Sequence, residues 1–156
     1  MKNVLITLDY DPTAQKIAEA GYQLASALEA QTTLLHVVAD EVYYSTRAYT
    51  PIMGFAGFSP VEPIEGEQNE YLKEAAYTYL NNIRTHLGDQ NIRTMVKEGE
   101  FADVILETAD LIGADIIVLG SHSKRWLEKV VMGSVTEKVM KLAKIPILIV
   151  PTGKKD

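Results

Sequence analysis

The sequence predicts an α/β fold in which an open, twisted, parallel sheet of five strands carries helices on both faces. Five short runs of β-branched and aliphatic residues recur along the 156-residue chain, and such unalternating runs are typical of strands buried on both faces. A segment with apolar residues at helical spacing lies between each run and the next, which predicts parallel strands with right-handed crossovers. The hydrophobic fraction of 47% and the charged fraction of 23% fit one domain spanning residues 1–156.

The first strand is predicted over residues 4–8, where an apolar run stops at Asp9. Asp11 followed by Pro12 is a suitable N-cap and first-turn pair for the helix that comes next. The inner face of that helix is predicted to consist of small and aliphatic residues, namely Ala14, Ile17, Ala18, Gly21, Leu24, Ala25 and Leu28. The spacing therefore predicts a helix that lies close against the sheet.

The second strand is predicted over residues 32–38, and His36 lies inside it. A lone histidine between leucine and valine is more typical of a packed core residue than of a ligand or base. An irregular segment follows over residues 40–66, and a segment of this length is usually functional or mobile. Its aromatic residues are compatible with a lid over a ligand, with a cover for a partner subunit, or with packing on the sheet edge: Tyr43, Tyr44, Tyr49, Phe55 and Phe58.

The next helix is predicted from about Gln68 to a cap at Gly88. Its expected inner face is Leu72, Ala75, Ala76, Tyr79, Leu80, Ile83 and Leu87. The third strand, residues 92–96, is partly polar and is predicted near an edge of the sheet. The helix after Gly99 is expected to end at Gly113 and to turn inward Val104, Ile105, Thr108, Ala109 and Ile112.

A fourth strand is predicted from Asp115 to Gly120, and a last helix over residues 135–143 is expected to bury Val135, Val139 and Leu142. Pro146 opens the final strand, residues 147–150. Between the fourth strand and the last helix lies the loop LGSHSKRWLEKVVMGS. A strand that ends at a glycine and restarts as a helix after Gly-Ser directs unpaired backbone N–H groups to one point, which favours an anion site.

Glycine at positions 120 and 133 is expected to allow unusual backbone angles and a close approach of a ligand. Ser134 and Glu137 also have the spacing of a capping box. The serine hydroxyl is therefore compatible with capping its own helix or with binding a ligand. Lys124 and Arg125 are compatible with phosphate contacts or with simple solvation. Trp126 is expected to anchor the loop by packing.

The spacing Gly120, two residues, Ser123, nine residues, Gly133-Ser134 resembles the nucleotide-binding signature of the universal stress protein family, Gly-x2-Gly-x9-Gly-Ser/Thr. The flanking segment GSVTEKVMKLAKIPILIVP is similar as well. Ser123 replaces the second glycine of that signature. The resemblance implies a Rossmann-like, adenine nucleotide alpha hydrolase-like sheet with strand order 3-2-1-4-5, which brings the Asp9 turn beside the Gly120 loop.

The resemblance also implies a site for ATP, or for AMP or ADP, with Mg²⁺ bound only through the phosphates. The resemblance implies that Asp9 and the backbone of Val37 contact the adenosine end of the nucleotide. From the residues alone, Asp9 is equally well explained as a solvated aspartate of the turn. The phosphate end is implied to comprise Gly120, His122, Ser123, Gly133, Ser134 and Val135. The family further implies a stress-response or signalling role and a homodimer formed through the last strand.

Composition and missing motifs exclude several function classes. The net charge is -6 without a basic cluster, so nucleic acid is not an expected partner. The absence of cysteine excludes disulfides, zinc-thiolate sites and thiolate nucleophiles. No P-loop and no Gly-x-Gly-x-x-Gly follow the first strand, and no His/Asp/Glu cluster has metal-ligand spacing.

No signal-peptide core and no apolar run of membrane-spanning length occur, so we expect a soluble, cytoplasmic protein. His122 has no carboxylate evidently placed to orient it as a base, and we expect ATP hydrolysis to be slow at most. Because Ser123 departs from the signature, an alternative stays open. In that alternative, the chain is a universal stress protein that binds no nucleotide and acts as a dimeric protein-interaction module.

Overall fold

The computed structural model describes residues 2–39, 67–121 and 134–152. In chain order the elements are β1 (Asn3–Thr7), α1 (Ala14–Ala27), β2 (Gln31–Val38), α2 (Glu67–Leu87), β3 (Arg93–Glu98), α3 (Phe101–Ile112), β4 (Ile116–Gly120), α4 (Ser134–Leu142) and β5 (Ile147–Val150). The predictions for the aromatic segment 40–66 and for the loop residues 122–133 fall outside these described ranges.

The five strands form one parallel sheet in the order β3-β2-β1-β4-β5. Residue Val4 of β1 pairs with Thr32 of β2 on one side and with Ile116 of β4 on the other. The predicted α/β class and strand order are therefore confirmed. β3 lies at an edge, as its polar residues predicted, but it extends to Glu98 because Val38 and Glu98 still pair.

Alternate residues of β1 belong to two different cores. Val4 and Ile6 pack on the face covered by α1 and α2, while Leu5 packs on the face covered by α3 and α4. All three side chains are completely buried. The helices therefore cover both faces of the sheet, and β1 is the strand around which both cores are built.

α1 lies close to the sheet because Gly21 has no side chain. A Cβ atom placed on Gly21 would stand 2.7 Å from Cδ1 of Ile6 and 3.2 Å from Cγ1 of Val118. Both neighbours are fully buried strand residues. The small residues predicted on the inner face of α1 therefore set the distance between this helix and the two central strands.

The predicted glycine caps are confirmed at the ends of α2 and α3. Gly88 and Gly113 have φ angles of 75° and 63°, a left-handed conformation that glycine adopts without strain. The predicted inner faces also hold: in α3 every predicted residue is buried or half-buried, and in α2 every one except the exposed Ala75. Sequence periodicity thus identified both the length and the buried side of these helices.

The predicted N-cap of α1 is wrong by two residues. The helix begins at Ala14 with Thr13 at the N-cap position, whereas Asp11 lies in the turn before it. There, Oδ1 of Asp11 accepts hydrogen bonds from the Thr13 backbone N–H at 2.9 Å and from the Thr13 hydroxyl at 2.7 Å. Aspartate stabilises such turns as readily as it caps helices, so the residue type alone did not distinguish the two.

α4 differs from its predicted packing. Leu142 is 53% exposed, and the buried residues are Thr136 and Val139, with Val135 packed against the same core. The helix begins at Ser134, one residue earlier than predicted. The inner face of this short helix is therefore rotated toward Thr136.

Within the described part of the chain, no helix is both long enough and apolar enough to cross a membrane.

Replacing Gly21 by alanine tests the close approach of α1. We expect overpacking of the new methyl group against Ile6 to lower the unfolding free energy by about 1–3 kcal/mol. The higher helix propensity of alanine offsets up to about 1 kcal/mol of this loss. Chemical denaturation of both proteins gives the difference.

The matched control is the double variant Gly21→Ala with Ile6→Val, which removes the Cδ1 atom that the new methyl group meets. The two substitutions should cost less together than the sum of their separate costs. Additive costs would contradict overpacking against Cδ1 of Ile6, since only Cγ1 of Ile6, at 2.9 Å, stays in the double variant.

Candidate functional site

The carboxyl ends of β1 and β4 meet at one edge of the sheet. Ile6 pairs with Val118, and one residue further on, the Thr7 hydroxyl donates to the Val118 carbonyl oxygen at 3.3 Å. β2 continues the sheet on the other side of β1. The chain therefore leaves β1 and β4 at a point where the strand order reverses, which is the usual position of ligand crevices in open α/β sheets.

Asp9 is exposed in the turn that follows β1. Its Oδ1 accepts a hydrogen bond from the Asp11 backbone N–H at 3.0 Å, and its backbone carbonyl accepts one from the Tyr79 hydroxyl at 2.6 Å. Asp9 thus has the turn role that the residues suggested. The same turn holds its carboxylate at the edge where β1 and β4 end.

Val37 lies near the end of β2, and its side chain is buried. Backbone carbonyl groups alternate sides along a strand: the Leu35 carbonyl accepts from Leu8 N–H at 2.9 Å, and the Val38 carbonyl accepts from Gly99 N–H at 3.0 Å on the β3 side. The backbone of Val37 therefore faces the β1 side. Because β1 ends at Thr7, that backbone extends past the end of its neighbour.

Three aromatic rings lie together beside the Asp9 turn. The ring centroid of Tyr10 is 4.3 Å from that of His36 and 4.9 Å from that of Tyr79. His36 is buried, as predicted, and its Nδ1 lies 2.8 Å from the Leu8 carbonyl oxygen. A carbonyl only accepts, so Nδ1 carries the proton and donates it. Sequence reasoning missed this cluster because its members come from three separate elements.

Two of these rings have shifted pKa values. Burial lowers the pKa of His36 below its ordinary value of 6.5, although its hydrogen bond to Leu8 and the charge of Asp9 act in the opposite direction. Burial, followed by the charge of Asp9, raises the pKa of Tyr79 to about 12. The imidazole is therefore neutral and the phenol protonated near pH 7, so both remain donors to the backbone before Tyr10.

Gly120 is required for space rather than for its backbone angle. It is not among the glycines with positive φ, which corrects the expectation that it adopts angles closed to other residues. A Cβ atom at this position would collide with Cδ1 of Ile17 in α1 and would stand 3.3 Å from Cγ2 of Thr152. The glycine at the start of the loop is therefore explained by the packing of α1 on the end of β4.

Thr136 connects the start of α4 to the end of β4. Its side chain is buried, and its hydroxyl donates to the Gly120 carbonyl oxygen at 3.0 Å. This bond turns Thr136 inward and leaves Leu142 exposed. It also brings the first-turn N–H groups of α4, which lack partners within the helix, to the carboxyl edge of the sheet. The sequence signal for this contact is the spacing of Thr136, three residues before the buried Val139, which places both on one face of the helix.

The structure brings together five of the eight predicted site residues at this edge. Asp9 and Val37 lie at the ends of β1 and β2, and Gly120 ends β4. Ser134 is exposed at the first position of α4, and Val135 is half-buried beside it. His122, Ser123 and Gly133 lie outside the described residues.

Hydrogen bonds connect Ser121, which follows β4, to the end of β5. The Ser121 backbone N–H donates to the Val150 carbonyl at 2.9 Å, and the Thr152 N–H donates to the Ser121 hydroxyl oxygen at 3.2 Å. β5 is the outer neighbour of β4. The direction in which the chain leaves Gly120 is therefore set by hydrogen bonds on the β5 side.

Metal ligation does not mark this edge among the described residues. No group of three or more His, Cys, Asp or Glu side chains there could hold a metal ion. A cavity of about 230 Å³ lies at the opposite edge, before β2, and is lined in part by Glu29 and Asp89. Its carboxylates disfavour an anionic ligand, so the edge formed by Asp9, Gly120 and Ser134 remains the candidate site.

Comparison with known proteins identifies relatives over nearly the whole chain. The model of the universal stress protein family matches residues 1–151. Universal stress protein MJ0577 of Methanocaldococcus jannaschii is 32% identical over 153 residues, covering 96% of this chain and 94% of the relative. The solved structure of MJ0577 superposes with a TM-score of 0.74 at 26% identity, covering 99% of this chain and 98% of the other.

Two solved structures with the same fold contain adenine nucleotides. A universal stress protein in complex with cAMP has a TM-score of 0.64 at 20% identity and covers 97% of this chain and 98% of its own. The universal stress protein from Archaeoglobus fulgidus in complex with dAMP has a TM-score of 0.59 at 16% identity. It covers 96% of this chain and 97% of its own. At these identities the similarity shows the fold alone.

Replacing Thr136 by valine tests the connection between α4 and β4. The change preserves shape but removes the donor to Gly120, so we expect the unfolding free energy to fall by about 1–3 kcal/mol in chemical denaturation. Thr78→Val is the matched control, because Thr78 makes a similar bond to Glu74 at 3.1 Å on an exposed helix face. Equal, small effects of both substitutions would contradict the structural role of Thr136.

Lowering the pH tests the environment of His36. Its folded-state pKa is depressed, so the unfolded chain takes up a proton first, and stability should decline from about pH 6.5 downward through the folded pKa, by at most about 1.4 kcal/mol per pH unit. An NMR titration of the native protein should give a midpoint for His36 below 6.5.

The variant His36→Gln identifies the resonance by its loss and lacks the titrating group. Its unfolding free energy should fall less steeply in the same pH window, whatever its absolute stability. A native midpoint at or above 6.5 would mean that His36 is not buried as described.

Proposed function

Because the chain belongs to the universal stress protein family, we propose that it binds an adenine nucleotide, namely ATP, AMP or ADP, at the carboxyl edge of its sheet. The observation that carries this function is the bond from Thr136 to Gly120. It brings the N-terminus of α4 to the end of β4, next to the strand that Asp9 follows. A crevice bounded by a carboxylate turn and a helix N-terminus suits a ligand with hydroxyl groups and phosphates.

The adenosine end of the ligand lies against β1 and β2. The exposed carboxylate of Asp9 accepts hydrogen bonds from the ribose hydroxyls or the adenine amino group, since an ionised carboxylate is an acceptor only. The backbone of Val37, which extends past the end of β1, offers a donor and an acceptor to the edge of the base. Asp9 is positioned by bonds that do not involve a ligand, and Val37 is positioned by its pairing with Lys97 of β3.

The phosphate end lies against the start of α4. The first-turn N–H groups and the partial positive charge of the helix N-terminus attract anions, and the exposed Ser134 supplies a hydroxyl. His122, Ser123, Gly133 and Val135 complete the proposed phosphate contacts. Mg²⁺ enters this scheme only as a companion of the phosphates, since the described side chains offer it no cluster of ligands.

Nucleotide complexes of other family members support this choice of ligand. One solved universal stress protein contains cAMP and another contains dAMP, and both share the fold of this chain. Adenine is common to the two ligands. We extend that ligand class to this chain because its crevice combines a carboxylate turn with an anion-binding helix start.

The nucleotide state is proposed to act as a signal in stress response rather than as part of rapid turnover. Rapid phosphoryl transfer requires an oriented water and a cation at the transferred phosphate. We assign no general base to any residue of the proposed site. We propose that any hydrolysis is slow. We also propose a homodimer through β5, an edge strand whose Ile147, Leu148 and Ile149 are half-buried.

Calorimetric titration tests the function directly. The purified protein is unfolded, any released nucleotide is identified by chromatography, and the emptied, refolded protein is titrated with ATP and AMP. We expect stoichiometric adenine nucleotide or micromolar rebinding. Ser134→Ala should weaken ATP about tenfold or more because it removes a hydroxyl bound to a charged oxygen.

Two variants sharpen the result. Ser26→Ala removes an exposed serine of α1 and should leave ATP affinity unchanged. Ser123→Gly restores the second glycine of the family signature and should tighten ATP. An emptied protein that gives no heat with millimolar ATP would contradict nucleotide binding and favour the dimeric protein-interaction module.

A further inference from the structure

Tyr10 lies at the candidate site but outside the family signature that begins at Gly120. It follows Asp9 directly and lies at the same edge of the sheet as the end of β2. Its side chain is 53% exposed, although two other rings pack against it. Tyr10 differs from the exposed Tyr71 and Tyr77 of α2 in that it lies at the candidate site and packs against two other rings.

The ring of Tyr10 packs against two other rings, which act as its supports. It meets His36 at an interplanar angle of 43° and Tyr79 at 58°. His36 and Tyr79 also contact each other nearly edge to face, with centroids 6.1 Å apart and an angle of 79°. These are favourable aromatic geometries, and they fix the plane of Tyr10 before any ligand arrives.

Each support is tied to the backbone that immediately precedes Tyr10. His36 donates from Nδ1 to the Leu8 carbonyl at 2.8 Å, and the Tyr79 hydroxyl donates to the Asp9 carbonyl at 2.6 Å. The ring, its supports and the Asp9 turn therefore form one connected unit. A preorganised ring loses little conformational freedom when a flat ligand packs on it.

We propose that the exposed part of the Tyr10 ring is the stacking surface for the base of the bound nucleotide, with His36 and Tyr79 acting as positioning residues behind it. This role depends on the function proposed above. It adds a contact through the π-face of adenine to the contacts that Asp9 and the Val37 backbone make with ribose and base edge. The base would then be bound at its edge and on its face, as small aromatic ligands commonly are.

The stacking role predicts a loss that depends on the base. Tyr10→Ala should weaken ATP about ten- to a hundredfold, the range typical of lost base stacking, and should leave the affinity for inorganic tripolyphosphate unchanged. Tyr10→Phe keeps the ring and should bind ATP within about twofold of the native protein. Calorimetry with both ligands on all three proteins measures these affinities.

Matched variants separate stacking from general damage. Tyr77→Ala removes a tyrosine of α2 that is 43% exposed and should leave ATP affinity unchanged. Tyr10→Leu keeps apolar packing on His36 and Tyr79 but has no aromatic face, so it should fold and still bind ATP more weakly than Tyr10→Phe. In the native protein, the NMR signals of the Tyr10 ring should shift with ATP and not with tripolyphosphate.

The outcomes distinguish this proposal from the function on which it depends. If the native protein binds ATP and Tyr10→Ala binds it equally well, stacking is overturned and nucleotide binding stands. If Tyr10→Ala weakens ATP and tripolyphosphate equally, Tyr10 only supports the fold of the edge, and stacking is again overturned. If the native protein binds no ATP, both proposals are overturned together.

Discussion

The arrangement depends on β1 being paired with a strand on each side. Its Val4, Leu5 and Ile6 are completely buried and supply side chains to both cores. The chain builds outward from β1 through β2 and β3, and α3 then carries it back to the other side of β1 as β4. The turns after β1 and β4 are therefore neighbours. The chain leaves these two strands in different directions, which opens the crevice.

The two sides of that crevice are held by different physical means. Beside β1 and β2, rings and backbone carbonyls form a unit in which His36 and Tyr79 support Tyr10. Beside β4, single hydrogen bonds set the geometry, from Thr136 to Gly120 and between Ser121 and the strand beyond. One side therefore offers flat apolar surface and the other offers N–H donors, a division that matches a base with an anionic tail.

Much of the fold could be predicted because its determinants are local. Apolar runs identified the strands, and the glycines at 88 and 113 marked helix ends through the left-handed angles that they adopt. The errors arose where a residue had two local roles or a distant partner: Asp11 forms a turn instead of a cap, and Leu142 is exposed because Thr136 bonds to β4.

The candidate site was less accessible to sequence reasoning. That Asp9 and Gly120 share an edge follows from the strand order, which periodicity does not contain and which only the family resemblance supplied. The ring cluster joins residues up to 69 positions apart, as Tyr10 and Tyr79 show, and no pattern in the chain links them. Gly120 itself has a second consequence: Ile17 of α1 occupies the space of its missing side chain, so a larger residue at this position requires Ile17 to move whether or not a ligand binds. The packing of a helix thus accounts for this glycine, and its presence alone is no evidence of ligand binding.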